Sequence, residues 1–231
     1  MPVKAVIFDL DGTLANFNLD YKTVRAEVKS YLVKRGVPAS VLSVKESVFE
    51  MLRKTEIFVR NSDKPAKFLD EVRGEALAMT EKYELEAAKS TSLMPGAVET
   101  LKDLRRMNLK IGLCTINSEK AVNYILNRFG ITDYFDVTVP RNKVNQFKPH
   151  PEHIETALKA LGASASNTMI VGDSVIDMQS AKELKAVAVG LPTGVSTIEQ
   201  LMRNGANYIA TSITDLPLLI EKLNKNSKEK T

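Results

Sequence analysis

Two aspartates, Asp9 and Asp11, stand two positions apart directly after a short apolar run and just before Gly12. Carboxylates with this spacing beyond a strand can converge on one cation and one substrate oxygen, so the pair is a candidate for metal-assisted chemistry. An EF-hand calcium loop also begins Asp-x-Asp, but it requires glycine at its sixth position, where this chain has Leu14. A structural aspartate pair in a turn is the other interpretation of this motif when it is taken alone.

Three further segments carry polar side chains that suit the same chemistry. Asp173 and Asp177 follow an apolar run, as Asp9 does, and another run ends with the hydroxyl of Thr115 and the amide of Asn117. Lys148 precedes a proline, which biases the lysine backbone away from helix and holds it extended just before the next helix. A single short motif is weak evidence, because such motifs recur by chance. Four of them at one place in a fold would be strong evidence.

The elements that must position these residues can be predicted from the apolar pattern. Short apolar runs, typical of strands buried on both faces, occur at residues 5–8, 110–114, 136–139, 168–171, 186–189 and, more weakly, 208–210. Helical patterns lie between them, which predicts βαβ units and an α/β fold with a doubly wound parallel sheet. Ligands bind such sheets outside the carboxyl ends of the strands, where all four polar segments fall.

Residues 16–90 interrupt this alternation with helical patterns and no convincing strand. The first helix is predicted to begin after an Asp20 N-cap. The second is predicted to begin at a capping box made by Ser43 and Glu46. Its buried stripe is expected to be Val44, Val48, Met51 and Leu52. A third helical stretch opens near Phe68, so the interval predicts a small all-helical domain inserted after the first strand.

The predicted domains are an α/β core at residues 1–15 and 91–223, a helical cap at 16–90, and a flexible tail at 224–231. Hinges are expected at residues 16–18 and 90–92, where the chain passes between core and cap. The tail is polar and aperiodic, which favours a frayed end.

The composition limits which binding partners and which cellular compartment are expected. The net charge is +4, and three of the lysines and one of the glutamates that contribute to it lie in the last eight residues. No basic block occurs elsewhere, so nucleic acid is not an expected partner. No apolar run approaches the ~20 residues that span a bilayer, and no signal peptide is evident. The single cysteine, Cys114, excludes an internal disulfide and favours a cytoplasmic protein. The sequence leaves the oligomeric state open between a monomer and a homodimer.

In their order along the chain, these segments resemble the four motifs of the haloacid dehalogenase superfamily. The resemblance rests on residues 9–14 and 172–177 together with Thr115 and Lys148, and it spans the core. Residues 94–96 and 148–152 are similar to members with an inserted helical cap, of the phosphoglycolate phosphatase type.

The resemblance implies a magnesium-dependent phosphatase with a covalent intermediate. Asp9 would be the nucleophile that takes the phosphoryl group. Asp11 would protonate the leaving alkoxide and then take a proton from the water that hydrolyses the intermediate. Mg²⁺ would be held by the Asp9 carboxylate, the Asp11 backbone carbonyl and Asp173.

The resemblance also implies how the substrate is bound. Thr115 and Lys148 would hold the phosphoryl oxygens and offset the charge that develops on them. Asp177 would orient Lys148 or a metal-bound water. The implied substrate is a small phosphorylated metabolite, with phosphoglycolate the leading candidate.

Other functions on the same scaffold stay open at this point. A phosphomutase of the β-phosphoglucomutase type shares every core residue and differs in how long the aspartyl-phosphate survives. A metal-free dehalogenase is disfavoured, because that branch does not need Asp11. A non-catalytic binding protein is disfavoured too, because nothing structural requires Asp9, Asp11, Lys148 and Asp173 at one edge.

Three tempting residues are not expected to do chemistry. A cysteine-dependent phosphatase needs an arginine six positions after its cysteine, and here Lys120 follows Cys114 at that distance. Cys114 is therefore predicted to be a buried strand residue. His150 and His153 stand at the start of a helix and are expected on the surface.

Overall fold

The computed structural model describes residues 2–16 and 18–228, and the chain divides into two compact units. The smaller unit is Asn18–Ser90, and the segments on either side of it form the larger one. Phe17, part of a predicted hinge, lies outside the described residues. In the larger unit the Asn16 N–H donates to Ser92 O at 2.9 Å, and the Asn16 amide donates to Ser92 Oγ at 2.6 Å. These bonds therefore join the two segments of the larger unit next to the points where the chain enters and leaves the smaller unit.

The smaller unit is built from helices α1 (Tyr21–Lys34), α2 (Val48–Arg60) and α3 (Ala66–Ser90). Asp20 is the N-cap of α1, as predicted, and its carboxylate accepts from the Thr23 N–H at 3.2 Å. Side chains from all three helices form one core, with Val28, Met51 and Val72 among them.

Helix α2 does not begin at the predicted capping box of Ser43 and Glu46, so that prediction is wrong. Its N-cap is Ser47, whose hydroxyl accepts from the Glu50 N–H at 3.1 Å. The chain repeats Ser-x-x-Glu four residues apart, and both copies satisfy the motif locally. Packing selects the second copy, which buries Val48, Met51 and Leu52. Val44, expected in the buried stripe, is 48% exposed.

The described residues of the larger unit form a parallel sheet of six strands in the order β3-β2-β1-β4-β5-β6. The strands are β1 (Ala5–Phe8), β2 (Lys110–Thr115), β3 (Val137–Pro140), β4 (Thr168–Gly172), β5 (Val187–Gly190) and β6 (Tyr208–Ile209). This confirms the predicted doubly wound fold. The order reverses at β1, so the loops after β1, β2 and β4 open on one crevice.

Helices of the larger unit cover the sheet. They are α4 (Ala97–Arg106), α5 (Glu119–Phe129), α6 (Glu152–Leu161), α7 (Val175–Leu184), α8 (Ile198–Arg203) and α9 (Leu216–Lys228). Ile7, Cys114 and Ile170 of neighbouring strands pack with Ile154 and Met178 of the covering helices in one buried cluster. Parallel strands buried on both faces explain why the strand sequences are continuous apolar runs.

Residues 224–228, which the sequence analysis places in a flexible tail, lie in helix α9. The Asn224 side chain accepts from the Val3 N–H at 2.7 Å and donates to the Val3 carbonyl at 3.4 Å. These bonds tie the helix to the segment before β1. Residues 229–231 of the predicted tail lie outside the described residues. In the part of the chain that the structure describes, no helix combines the length and the apolar character that crossing a bilayer requires.

Candidate active site

Lys148 is the charged centre of the candidate site. Its side chain is buried, and its ammonium donates to Asp9 Oδ1 at 2.8 Å, Asp177 Oδ1 at 2.6 Å and the Cys114 carbonyl at 2.8 Å. Three acceptors match the three N–H donors of an ammonium group. Burial opposes the charge, but Asp177 and Asp9 outweigh that effect and raise the pKa of Lys148 above its ordinary value. Lys148 therefore stays charged.

Three carboxylates meet beside this lysine. One oxygen from each of Asp9, Asp173 and Asp177 lies within 4.8 Å of the others. Burial raises the pKa of Asp9 to about 6, with Lys148 opposing the rise and Asp177 adding to it. Burial, followed by the charges of Asp9 and Asp177, raises the pKa of Asp173 to about 8. The cluster therefore holds more negative charge than Lys148 alone can offset.

Asp177 contributes to the fold as well as to the charge cluster. Its Oδ2 accepts from the Ser174 N–H at 3.2 Å and from the Ser174 hydroxyl, which completes a capping box at the start of α7. Its Oδ1 accepts from Lys148. Because both oxygens of Asp177 bond to protein groups, Asp9 and Asp173 are the better placed carboxylates for a metal ion.

Two glycines make the narrow space around Asp173. Gly12 has a φ of +73°, and a Cβ there would lie 2.6 Å from Asp173 Cγ. A Cβ at Gly194 would collide with the same carboxylate. The Val195 N–H donates to Asp173 Oδ2 at 2.8 Å, and the Thr193 hydroxyl donates to the Gly12 carbonyl. The loop after β5 thus holds Asp173 against the loop after β1.

Asp11 and Thr115 are linked through Asn117, to which the sequence analysis assigns no role. Asn117 Nδ2 donates to Asp11 Oδ2 at 2.8 Å, and the Asn117 N–H donates to Thr115 Oγ1 at 3.2 Å. Thr115 and Asn117 are both buried. The sheet thus brings every predicted site residue to the carboxyl ends of β1, β2 and β4 and the loop before α6. These residues are Asp9, Asp11, Thr115, Lys148, Asp173 and Asp177.

His153, predicted to lie on the surface, is fully buried, so that prediction is wrong. Its Nδ1 accepts from the Lys148 N–H at 3.3 Å, and its Nε2 lies 2.7 Å from the Val139 carbonyl. These partners assign the neutral tautomer with the proton on Nε2. Burial, followed by the charge of Lys148, lowers the pKa of His153 to about 4. His150 is exposed, as predicted.

The residues that sequence analysis misses differ in the signal they leave. Sequence analysis places Asn117 at the carboxyl edge but gives it no role there. The Thr193-Gly194 pair also follows a predicted strand, so the rule that ligands bind at carboxyl ends could have selected it. His153 leaves no such signal. It faces inward with Ile154 and Ala157 because α6 begins at Glu152, and helix boundaries are hard to place from sequence.

The donor set fits a hard divalent cation such as Mg²⁺. Carboxylate and carbonyl oxygens are the ligands that Mg²⁺ prefers. Burial is the largest cause of the raised pKa values of Asp9 and Asp173, and repulsion from the neighbouring carboxylates adds to it. A divalent cation between these two side chains would offset that repulsion.

A parallel sheet with an acidic cluster at its carboxyl edge, and a helical unit inserted after its central strand, defines a doubly wound α/β protein with a helical insertion. The family model for haloacid dehalogenase-like hydrolases matches residues 3–185. The chain belongs to this family and is a hydrolase. The resemblance inferred from its motifs is confirmed.

Characterised relatives are similar over most of the chain. Pyrophosphatase PpaX of Halalkalibacterium halodurans is 28% identical over 222 residues, which cover 94% of this chain and 96% of the relative. Phosphoglycolate phosphatase of Cereibacter sphaeroides is 30% identical over 181 residues, which cover 77% of this chain and 79% of the relative. The crystal structure of a β-phosphoglucomutase from Clostridium difficile has a TM-score of 0.69 at 23% identity, covering 99% of this chain and 100% of that one. At that identity the similarity shows the shared fold.

Proposed function

We propose that this protein is a magnesium-dependent phosphatase that hydrolyses a small phosphorylated metabolite through an aspartyl-phosphate on Asp9. The observation that carries the proposal is the setting of the Asp9 carboxylate. It follows the central strand, with Lys148 Nζ 2.8 Å away and oxygens of Asp173 and Asp177 within 4.8 Å. Two relatives named for the hydrolysis of phosphate compounds support the same reaction class.

The proposed reaction has two displacements at phosphorus. In the first, an Asp9 oxygen attacks phosphorus, the bond to the leaving oxygen breaks, and Asp11 gives its proton to that oxygen. In the second, Asp11 takes a proton from water, the water oxygen attacks phosphorus, and the bond to Asp9 breaks to release phosphate. Asp11 ends the cycle protonated, as it began.

The charged and polar neighbours of Asp9 bind the phosphoryl group. Lys148 contacts the nucleophile directly, so a phosphoryl group on Asp9 would lie beside a buried ammonium whose charge is not screened by bulk water. Thr115 offers its hydroxyl at the end of the neighbouring strand. Asp177 keeps Lys148 in place, since it accepts from the ammonium at 2.6 Å and is itself fixed by Ser174.

The same residues account for the proposed metal. Mg²⁺ would be held by the Asp9 carboxylate, the Asp11 backbone carbonyl and Asp173. When bound, it supplies positive charge that lets an anionic carboxylate approach an anionic phosphate. The bond from the Val195 N–H to Asp173 Oδ2 fixes one oxygen of that carboxylate and orients the other.

Phosphoglycolate is the first substrate to test, because a relative named for that activity is 30% identical to this chain. Pyrophosphate is the second, because a relative named as a pyrophosphatase is 28% identical. A phosphomutase is the alternative function, since the proposed catalytic residues of the core would serve both reactions.

The proposal is tested with the purified protein and a panel of phosphorylated metabolites, with Mg²⁺ or with a chelator, by following free phosphate. Asp9→Asn keeps the shape and removes the nucleophile, so we expect phosphate release to stop. Asp133→Asn, at an exposed position, is the matched control and should keep the wild-type rate. An Asp9→Asn protein that retained a tenth of the wild-type rate would contradict the covalent mechanism. A sugar phosphate that isomerises without stoichiometric release of phosphate would favour the phosphomutase.

A further inference from the structure

The side chain of Asn117 holds the Asp11 carboxylate from the neighbouring strand end. Its Nδ2 donates to Asp11 Oδ2 at 2.8 Å, and the residue is 6% exposed. Its backbone is fixed on both sides, because its N–H donates to Thr115 Oγ1 at 3.2 Å and its carbonyl accepts from the Arg141 N–H at 3.1 Å. The backbone of Asn117 is therefore held in place where its side chain contacts Asp11.

Further contacts to the loop after β2 come from the segment Arg141–Lys143, which follows β3. The Arg141 guanidinium is buried and donates to the Ile116 carbonyl at 2.9 Å. Asn142 Oδ1 accepts from the Glu119 N–H at 2.9 Å, and Lys143 Nζ lies 3.4 Å from Glu119 Oε1. These contacts bind the loop after β2 on both sides of Asn117, which limits how far its amide can move.

We infer that Asn117 is a positioning residue for Asp11, and that it sets the orientation in which the Asp11 carboxyl group meets the leaving oxygen. This inference rests on the proposed function, in which Asp11 exchanges protons with the leaving group and with water. An aspartate side chain turns about two bonds, and proton transfer needs an oxygen within about 2.6–3.2 Å of its partner. The hydrogen bond from Asn117 restricts side-chain rotations of Asp11 that would move its carboxyl group away from the leaving oxygen.

An amide suits this task chemically. It donates a hydrogen bond without adding charge, so it can accompany Asp11 both when the carboxyl group holds a proton and when it does not. The Asp11 backbone carbonyl belongs to the proposed metal site, whereas Asn117 contacts the side chain. Loss of the Asn117 amide should therefore disturb proton transfer more than metal binding.

The test compares two aryl phosphates of similar size whose leaving groups differ in basicity, 4-nitrophenyl phosphate and 4-methylphenyl phosphate, with Mg²⁺ present. The more basic 4-methylphenoxide depends more on the acid. We expect Asn117→Ala to lower kcat/KM for its ester by about 10–100-fold, and for the 4-nitrophenyl ester by a clearly smaller factor. Asn123→Ala, an exposed asparagine of α5, is the matched control and should change neither value.

A double-mutant cycle separates positioning from a general structural role. If Asn117 acts through Asp11, then adding Asn117→Ala to Asp11→Asn should cost little more on the 4-methylphenyl ester, where Asn117→Ala alone has its large effect, than Asp11→Asn alone. Asn117→Ser keeps a donor on a shorter side chain and should fall between wild type and Asn117→Ala. It replaces the alanine variant in the cycle if circular dichroism shows that the alanine variant does not fold.

The outcomes distinguish this inference from the proposed function. Suppose that the wild type is active, but Asn117→Ala lowers kcat/KM for both esters by the same factor, or the effects of Asn117→Ala and Asp11→Asn are additive. Either result overturns the positioning role alone. A folded wild type that hydrolyses neither ester overturns the proposed function and the positioning role together. Selective loss on the 4-methylphenyl ester with a non-additive cycle supports both.

Discussion

Replacing His153 by leucine tests how far the buried lysine depends on a residue outside the predicted motifs. His153 Nδ1 accepts from the Lys148 N–H, and its Nε2–H donates to the Val139 carbonyl. Leucine leaves both backbone groups buried without these partners. Each such loss costs about 1–3 kcal/mol, so we expect the free energy of unfolding at pH 7.5 to fall by roughly 2–6 kcal/mol.

The pH dependence of stability provides the sharper measurement. The pKa of His153 is lowered from 6.5 to about 4, so below pH 6.5 the unfolded chain binds a proton that the folded chain does not. Wild-type stability should therefore fall as the pH drops from 6.5 towards 4. Since each factor of ten in proton affinity is about 1.4 kcal/mol, His153 should account for about 2 kcal/mol of loss by pH 5.

Urea unfolding followed by circular dichroism between pH 7.5 and 5.0 measures this loss. The carboxylates of the site are common to wild type and His153→Leu, so the difference between the two pH profiles isolates the histidine. His153→Gln, which keeps a donor and an acceptor but does not titrate, should also lack the histidine's share of the loss. His150→Leu, at the chain's other histidine, is exposed and serves as the control. Parallel pH profiles for wild type and both His153 variants would refute the reasoning.

Two further predictions concern the acidic cluster and the insert. Asp173→Asn should stabilise the metal-free protein at pH 8.5 relative to wild type. The pKa of Asp173 is raised from 3.8 to about 8 in the folded protein, so the wild type loses stability as the pH rises from 3.8 to 8. Unfolding of chelator-treated proteins at pH 6 and 8.5 checks this, and a wild type equally stable at both would contradict it. Replacing residues 18–90 by a short linker should keep hydrolysis of a small aryl phosphate but lose preference among metabolites, because all predicted motif residues lie outside the insert. A folded core without the insert whose kcat/KM values kept the full preference would place specificity in the core.

Much of the core was predictable because parallel strands buried on both faces leave unbroken apolar runs. β1 matches its predicted bounds, and β2 extends the predicted run by the single residue Thr115. Polar residues at the ends of such runs could then be assigned to one edge by a topological rule. The start of α2 was not predictable in the same way, because Ser43 and Ser47 offer equal local signals and only tertiary packing separates them.

The parts of the site that escaped prediction depend on long-range geometry. The bond between Asn117 and Asp11 joins residues 106 positions apart, and neither residue's neighbours encode it. His153 is buried because of where α6 begins and what covers it, and a histidine near a helix start is as compatible with the surface. Sequence analysis thus located the charged residues of the site, including Asp177 beside Lys148, and missed the contacts that Asn117 and His153 make with them.

The position of β1 in the sheet has a consequence for the order in which the chain can assemble. Ala5 pairs with Lys110 on one side and Thr168 on the other, so both neighbours of β1 are synthesised more than a hundred residues later. The buried apolar cluster of the insert is made of residues within Asn18–Ser90. On the ribosome the residues of this cluster are therefore all made while the strand that precedes Asp9 still has neither of its neighbouring strands. The acidic cluster can form only after Asp173 and Asp177 have been made.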